Sequence, residues 1–297
     1  MFFFSYARLS CCAARYQMVA VFATRKQGPP AVHFRWPCAW YWLMKTEQGT
    51  DYDWQIWGER DPYFGVLAHQ QFRRDKLNPQ SLDEFFQGGR QEFGELLKDC
   101  RGYLGDISTR RSLEFGCGVG RLLIPLAEVS DECVGVDIST AMRAEAARNC
   151  SKFKCHNVRL ARTIDEAAAG KPGGFTFIHS YIVLQHLDAE RGLGIIASLL
   201  ACLEKGGCAA LHMTYARSKY QDNLGVQPLG HQLARRIRYR LSRWSRRLRN
   251  RDPQMQMNLY DMSRVLFLVQ QSGARSGGFR FTDHTGHLGV MLYLKRE

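Results

Sequence analysis

No run of 18 apolar residues occurs in the 297-residue chain, so the sequence offers no membrane-spanning helix. Its ten cysteines include no C-x-x-C pair; Cys11 and Cys12 are adjacent and the others are scattered. That usage argues against a zinc ribbon or a disulfide framework and fits reduced thiols in a cytoplasmic protein. Acidic residues are missing from 1–46, where six Lys/Arg stand alone, and almost missing from 217–251, where eleven Lys/Arg face only Asp222. These two stretches exceed the whole net charge of +13. The remainder is slightly acidic, so the basic balance says nothing about a central domain.

Regular periodicity is also lacking at the N-terminus. Phe2-Phe3-Phe4 and Trp36-Pro-Cys-Ala-Trp40-Tyr-Trp42 follow neither a period of 2 nor one of 3.6. The break in composition at Met44 makes 1–43 a disordered or non-native extension. An organelle leader and a substrate or membrane contact are the alternatives. The chain, at 45% apolar residues overall, has enough for one sizeable α/β domain with additions.

The most informative stretch is Leu113-Glu-Phe-Gly-Cys-Gly-Val-Gly-Arg-Leu-Leu-Ile-Pro-Leu126. It reads as a strand end, a glycine turn and the start of a helix, whose free N–H groups face a ligand. A dinucleotide fingerprint, G-x-G-x-x-G, needs a third glycine. Arg121 and Leu123 occupy that place in the two available registers. The pattern is instead Glu114-x-Gly116-x-Gly118-x-Gly120, with Cys117 inside the turn.

Alternating strand and helix signals continue from there. Cys133–Asp137 is apolar until a carboxylate at its tip, and Ser139 can cap a helix over 140–150. Val158–Arg162 and Phe175–Ser180 are the next strands. A helix over 195–203 ends at Gly206-Gly207 as a glycine cap, followed by a strand Cys208–Met213. A last helix, Val265–Gln271, precedes Phe279–Thr282 and Gly289–Leu294, which can pair as a terminal hairpin. Such βα units predict a doubly wound, mostly parallel α/β sheet. Before it, 44–104 reads as an N-terminal helical lid. Ser81 opens a capping box there, Gly88-Gly89 interrupts the helix, and Trp54, Trp57, Tyr63 and Phe64 form lid core or an aromatic wall beside a ligand.

The glycine turn resembles the first motif of the class I S-adenosylmethionine-dependent methyltransferases. The resemblance spans roughly 105–215 and extends to Phe175-Thr-Phe-Ile-His-Ser-Tyr-Ile-Val-Leu-Gln-His186 and Leu203-Glu-Lys-Gly-Gly207. It implies a seven-stranded Rossmann-like domain over 105–297 with S-adenosyl-L-methionine as cofactor. The methionine moiety would pass Glu114, Gly116, Cys117, Gly118 and Gly120, the ribose would meet Asp137, and adenine would pack on Ile138. Asp165, or failing it Thr163, is the adenine-amine acceptor, and Ser180 is a cleft residue. Thr176 stands where the family often has Asp.

Methyl transfer from a sulfonium is an in-line displacement that depends chiefly on alignment, worth on the order of 7–11 kcal/mol. A base is needed only where the acceptor must lose a proton. His186 and His212, near strand ends, are the candidates for it; a structural role is the alternative for each. His284 and His287 flank the terminal loop without a third ligand, so no metal is expected. Leu233, Ile237, Leu241, Trp244 and Leu248 form an apolar stripe among eight arginines between Arg235 and Arg249. This insertion at 217–251 can meet an anionic membrane surface, as a peripheral contact of a cytoplasmic protein, or dock on the domain. The expected acceptor is a small molecule, lipid or saccharide methylated on O or N. An RNA methyltransferase using 235–251 for phosphate contacts is less favoured, as is a non-catalytic cofactor-binding or membrane-associated protein.

Overall fold

The computed structural model describes residues 48–169, 174–226 and 251–297, together with scattered positions between 228 and 249. The extension 1–43 and the apolar stripe Leu233–Leu248 lie outside the described residues.

Seven strands form one sheet in the order β3-β2-β1-β4-β5-β7-β6. These are β1 (Arg111–Phe115), β2 (Glu132–Val136), β3 (Val158–Ala161), β4 (Phe175–Ser180), β5 (Leu203–Arg217), β6 (Ala274–His284) and β7 (His287–Arg296). The first five run parallel, and β7 is antiparallel to both β5 and β6. The expected fold class is therefore present. Both faces are apolar because both are covered, as a parallel sheet requires. One face sets Cys133, Phe177, Cys208, Ala210, Met291 and Tyr293 against helices α3 (Pro79–Leu104), α4 (Leu123–Ala127) and α5 (Thr140–Lys152). The other sets Leu113, Val134, Ile178 and Leu211 against α6 (Ile164–Ala168), α7 (Ala189–Ala201) and α8 (Met262–Gln271).

Several boundaries differ from the sequence reading, each for a local reason. Helix α3 starts at Pro79, with Asn78 as cap and Ser81 as the third residue of the capping box. Asn78 accepts from the Ser81 amide and the Ser81 hydroxyl answers the Asn78 amide, so the box sits three residues earlier than the Ser81–Glu84 reading. The helix also runs through Gly88-Gly89. At Gly89 a Cβ would stand 2.5 Å from the Arg121 carbonyl, so the glycine serves close packing against the turn below and does not break the helix. Gly89→Ala should therefore destabilise the fold by about 1–3 kcal/mol, outweighing a propensity gain of roughly 1 kcal/mol. A lower urea midpoint at unchanged slope checks this.

Helix α7 ends at Ala201, and Leu203–Gly207 already belongs to β5. Gly206, at φ 77°, bends that strand instead of capping the helix, where the register with β4 shifts. The terminal hairpin is longer than expected and turns through Thr285-Gly286, both at positive φ, the pairing a tight two-residue hairpin loop needs. Thr176 sits at the foot of β4, where its hydroxyl bonds both backbone groups of Arg111 and stitches β4 to β1.

Helices α1 (Gln48–Arg60) and α2 (Pro62–Val66) precede α3, and α1 reaches the segment just past the carboxyl end of β2. Asp51 forms a two-point ion pair with Arg191 of α7, at 2.6 and 3.1 Å. One turn on, Gln55 Oε1 accepts from the Thr140 amide of α5 at 2.8 Å. Helix α1 thus spans from one layer of helices to the other. Its Gly58 lies so close to α5 that a Cβ would meet Ser139 Oγ at 2.6 Å.

Candidate functional site

Strand order reverses between β1 and β4, and in an open α/β sheet ligands bind outside the carboxyl ends of the strands at such a point. The glycine turn lies there. Gly116, Gly118 and Gly120 have φ of 79°, 51° and 90°, values that disfavour any side chain. The Gly116 and Cys117 amides both donate to the Val136 carbonyl at the tip of β2. Gly118 N–H donates to Asp137 Oδ2 at 2.9 Å, and Asp137 Oδ1 accepts from the Ser139 amide at 2.8 Å. The acid at the end of β2 therefore holds the turn in shape and begins α5, with a lone pair left on each oxygen. Burial raises its pKa, and the two backbone N–H groups and the nearby Arg143 oppose that rise.

The residues beneath the turn tie it to the lid. Arg121 is buried, makes two bonds to Glu92 of α3 at 2.6 and 3.0 Å, and donates to the Phe85 carbonyl at 3.1 Å. Tyr63 of α2 donates to Glu145 at 2.7 Å, and Asn149 donates to the Val119 carbonyl at 2.9 Å. Trp57, Tyr63 and Phe64 are lid core, while Trp54 stands edge-on to His186 at 5.1 Å. Sequence reasoning missed Arg121, Asn149 and Gln55, whose roles depend on which loops the fold stacks.

Glu114 is buried, and its Oε2 has no hydrogen-bond partner among the described residues. Burial pushes its carboxyl well above the usual range, Asp137 adds to the rise, and Arg121 opposes it. His179, the strand neighbour of Glu114, has neither ring nitrogen bonded among the described residues, and burial lowers its pKa to about 3. Cys117 is a buried thiol whose pKa burial raises, so it packs and does not react. Ile138 is half-buried beside Asp137. Ser180 is fully buried and donates to the Phe115 carbonyl at 3.0 Å, which braces the two strand tips and leaves it unavailable to line a cleft.

Asp165 is exposed in the first turn of α6, which Thr163 caps directly after β3. Thr163 itself accepts from the Glu166 amide at 3.1 Å.

Both candidate bases lie on the carboxyl side. His186 Nδ1 is 2.6 Å from the Gln256 carbonyl, so Nδ1 carries the proton and Nε2 the lone pair. Burial lowers its pKa to about 4. His212, fully buried on β5, approaches Thr282 Oγ1 at 2.9 Å through Nε2, and burial lowers its pKa to about 3. The loop from β4 to His186 is strained: Ile182, a β-branched residue, has φ 55°. It presents Val183 against the turn, where a Cβ on Gly116 would lie 2.4 Å away. Among the described residues, no three His, Cys, Asp or Glu side chains are grouped to hold a metal ion, and no helix is long and apolar enough to cross a membrane.

Residues 83–258 match the model of a methyltransferase domain. The magnesium protoporphyrin IX methyltransferase of Synechocystis PCC 6803, solved with bound S-adenosylhomocysteine, is 18% identical with a TM-score of 0.50; the match covers 80% of this chain and 98% of that one. The N-methyltransferase NodS of Bradyrhizobium japonicum WM9, in complex with S-adenosyl-L-homocysteine, is 16% identical with a TM-score of 0.47, over 82% and 98% of the two chains. No curated protein sequence matches the chain.

Proposed function

The chain belongs to the methyltransferase-domain family, the S-adenosylmethionine-dependent class I group that its glycine turn resembles, and from that premise we propose that it methylates O or N of a small-molecule acceptor. The observation that carries this reading is the Asp137 clamp on the glycine turn at the switch point between β1 and β4. The residues present fit the cofactor. The turn brings bare backbone to the ligand, Asp137 keeps lone pairs for vicinal ribose hydroxyls, and the unpartnered Glu114 carboxyl suits the cationic methionine end. Cys117 backs the turn, Ile138 offers an apolar surface for adenine, and Ser180 supports the site through the β1 tip. When bound, the cofactor supplies an activated methyl group, so the protein's own task is to align a nucleophile and shield it from water.

The aromatic lid suits a small organic acceptor better than a polymer, since α1 reaches the segment just past the carboxyl end of β2 and is pinned on both sides. A lipid or saccharide acceptor is compatible with it. Most of the arginine-rich stretch 235–251, on which a membrane or RNA contact would depend, lies outside the described residues.

Calorimetric titration of the full chain with S-adenosylhomocysteine tests the reading. Micromolar binding is expected, followed by labelled-methyl incorporation into small-molecule fractions of a cell extract. A folded protein that does not bind would overturn it.

A further inference from the structure

Strands β5 and β6 are not neighbours, because β7 lies between them. Their side chains nevertheless meet at one place: His212 Nε2 and Thr282 Oγ1 are 2.9 Å apart. The contact passes over Gly289 of β7. A Cβ there would stand 2.6 Å from Thr282 Oγ1 and 3.0 Å from His212 Nε2, so only glycine leaves room for it. The His212 ring is gripped on two further sides. Tyr181, just beyond β4, stands edge-on at 5.5 Å, and His284 of β6 stands edge-on at 5.0 Å.

Two nitrogens in this cluster remain unpaired. His212 Nδ1 and His284 Nε2 are buried without a hydrogen-bond partner among the described residues. A buried polar atom without a partner is destabilising, and a ligand carrying the matching groups would relieve that. The two nearby arginines are already paired. Arg280 pairs with Asp99 at 2.9 Å, and Arg121 pairs with Glu92. A carboxylate entering here would compete with Asp99 and Glu92 for those cations, and any charged group would be desolvated at a loss.

We propose that the methyl acceptor is a neutral hydroxyl compound whose O–H donates to His212 Nδ1 and whose oxygen accepts from His284 Nε2–H. This rests on the methyl-transfer reading above. A hydroxyl has one proton and two lone pairs. With Nε2–H of His212 donating to Thr282, Nδ1 takes the hydroxyl proton in a hydrogen bond. His284 occupies one lone pair, and the other is left to attack. Tyr181 and Gly116 follow the ends of β4 and β1 directly and continue their register at the same level, so the cluster is two strands, roughly 10 Å, from the glycine turn. In the reaction the acceptor oxygen forms a bond to the methyl carbon as the carbon–sulfur bond breaks, and sulfur keeps that electron pair. The hydroxyl proton, made strongly acidic on the alkylated oxygen, passes to Nδ1, and the imidazolium releases it to water as product leaves. Thr282 acts through His212 and is a positioning residue.

The test uses the full chain labelled with ¹⁵N-histidine and saturated with S-adenosylhomocysteine, titrated with phenol, benzoate and benzylamine as probes. Phenol should shift the His212 Nδ1 and His284 Nε2 resonances saturably, and the two charged probes should not. Thr282→Val should turn the single His212 tautomer into a mixture and weaken phenol binding roughly tenfold, about 1.4 kcal/mol, at unchanged S-adenosylhomocysteine affinity. Thr282→Ser should restore both. Phenol that moves neither histidine, or a charged probe that saturates the site, would overturn the proposal while the methyl-transfer reading stands. Failure to bind S-adenosylhomocysteine would overturn both.

Discussion

Asp137→Ala should lower S-adenosylhomocysteine affinity at least 100-fold and destabilise the protein by about 1–3 kcal/mol, because one carboxylate serves the ligand and the fold together. In the protein its oxygens accept from Gly118 N–H and Ser139 N–H, at 2.9 and 2.8 Å. Hydrogen bonds to a charged group contribute about 1.5–3 kcal/mol each, so losing two to ribose hydroxyls costs about 3–6 kcal/mol, or two to four decades in Kd. The stability loss has a separate origin: the Gly118 amide and the start of α5 both lose their acceptor. Asp137→Asn separates the two effects. Its single oxygen can satisfy one backbone N–H but not the other, so its affinity and its urea midpoint should both fall between those of wild type and alanine. Calorimetry and urea unfolding, run on all three proteins, check this. Affinity within threefold of wild type in the alanine variant would leave Asp137 as a clamp on the turn and nothing more.

Local chemistry made the cofactor half of the site legible in sequence. A glycine turn must be written with glycine at set places and a carboxylate at the tip of an apolar strand stands out, so the turn and Asp137 could be found by pattern, and the resemblance to class I methyltransferases then implied the roles of Glu114, Gly116, Gly118, Gly120 and Asp137. The same applies to the sheet, since each βα unit buries an apolar strand and announces its helix. The acceptor half was not legible in that way. His212, Thr282, His284 and Gly289 come from three strands whose adjacency is set by the reversal of β7, and nothing in the spacing of those residues predicts that two of them meet over the fourth. Distance along the chain placed Asp165 just after β3; there it lies exposed in the first turn of α6, which Thr163 caps. Gly89 was misread because a glycine that permits close packing and one that breaks a helix look alike until the Arg121 backbone is seen beneath it.

Glu114→Gln should raise stability and lower cofactor affinity in the same protein. The Glu114 carboxyl is buried, one oxygen has no partner, and its pKa lies well above the unfolded value near 4.5, first through burial and then through the charge of Asp137. The folded state therefore holds a proton that the unfolded chain releases. Linkage sets the sign: stability is greatest below the unfolded pKa and is lost as pH rises toward the raised one. Glutamine has the same shape and no charge to desolvate, so it escapes that loss. A gain of about 1–3 kcal/mol at pH 8 is expected, a rise in Tm of several degrees for a chain of this size, with little difference from wild type at pH 4. Cofactor binding should move the other way, at least tenfold weaker, because a neutral amide gives up the attraction to a cationic methionine end. Thermal unfolding at both pH values and calorimetry with S-adenosylhomocysteine check the two halves independently. A variant more stable at pH 8 but unchanged in affinity would make Glu114 a misfit of the core. One that gains stability and loses affinity would identify its burial as strain held in place for the ligand, since a carboxyl unpaired in the free protein is kept only where something bound supplies the missing charge.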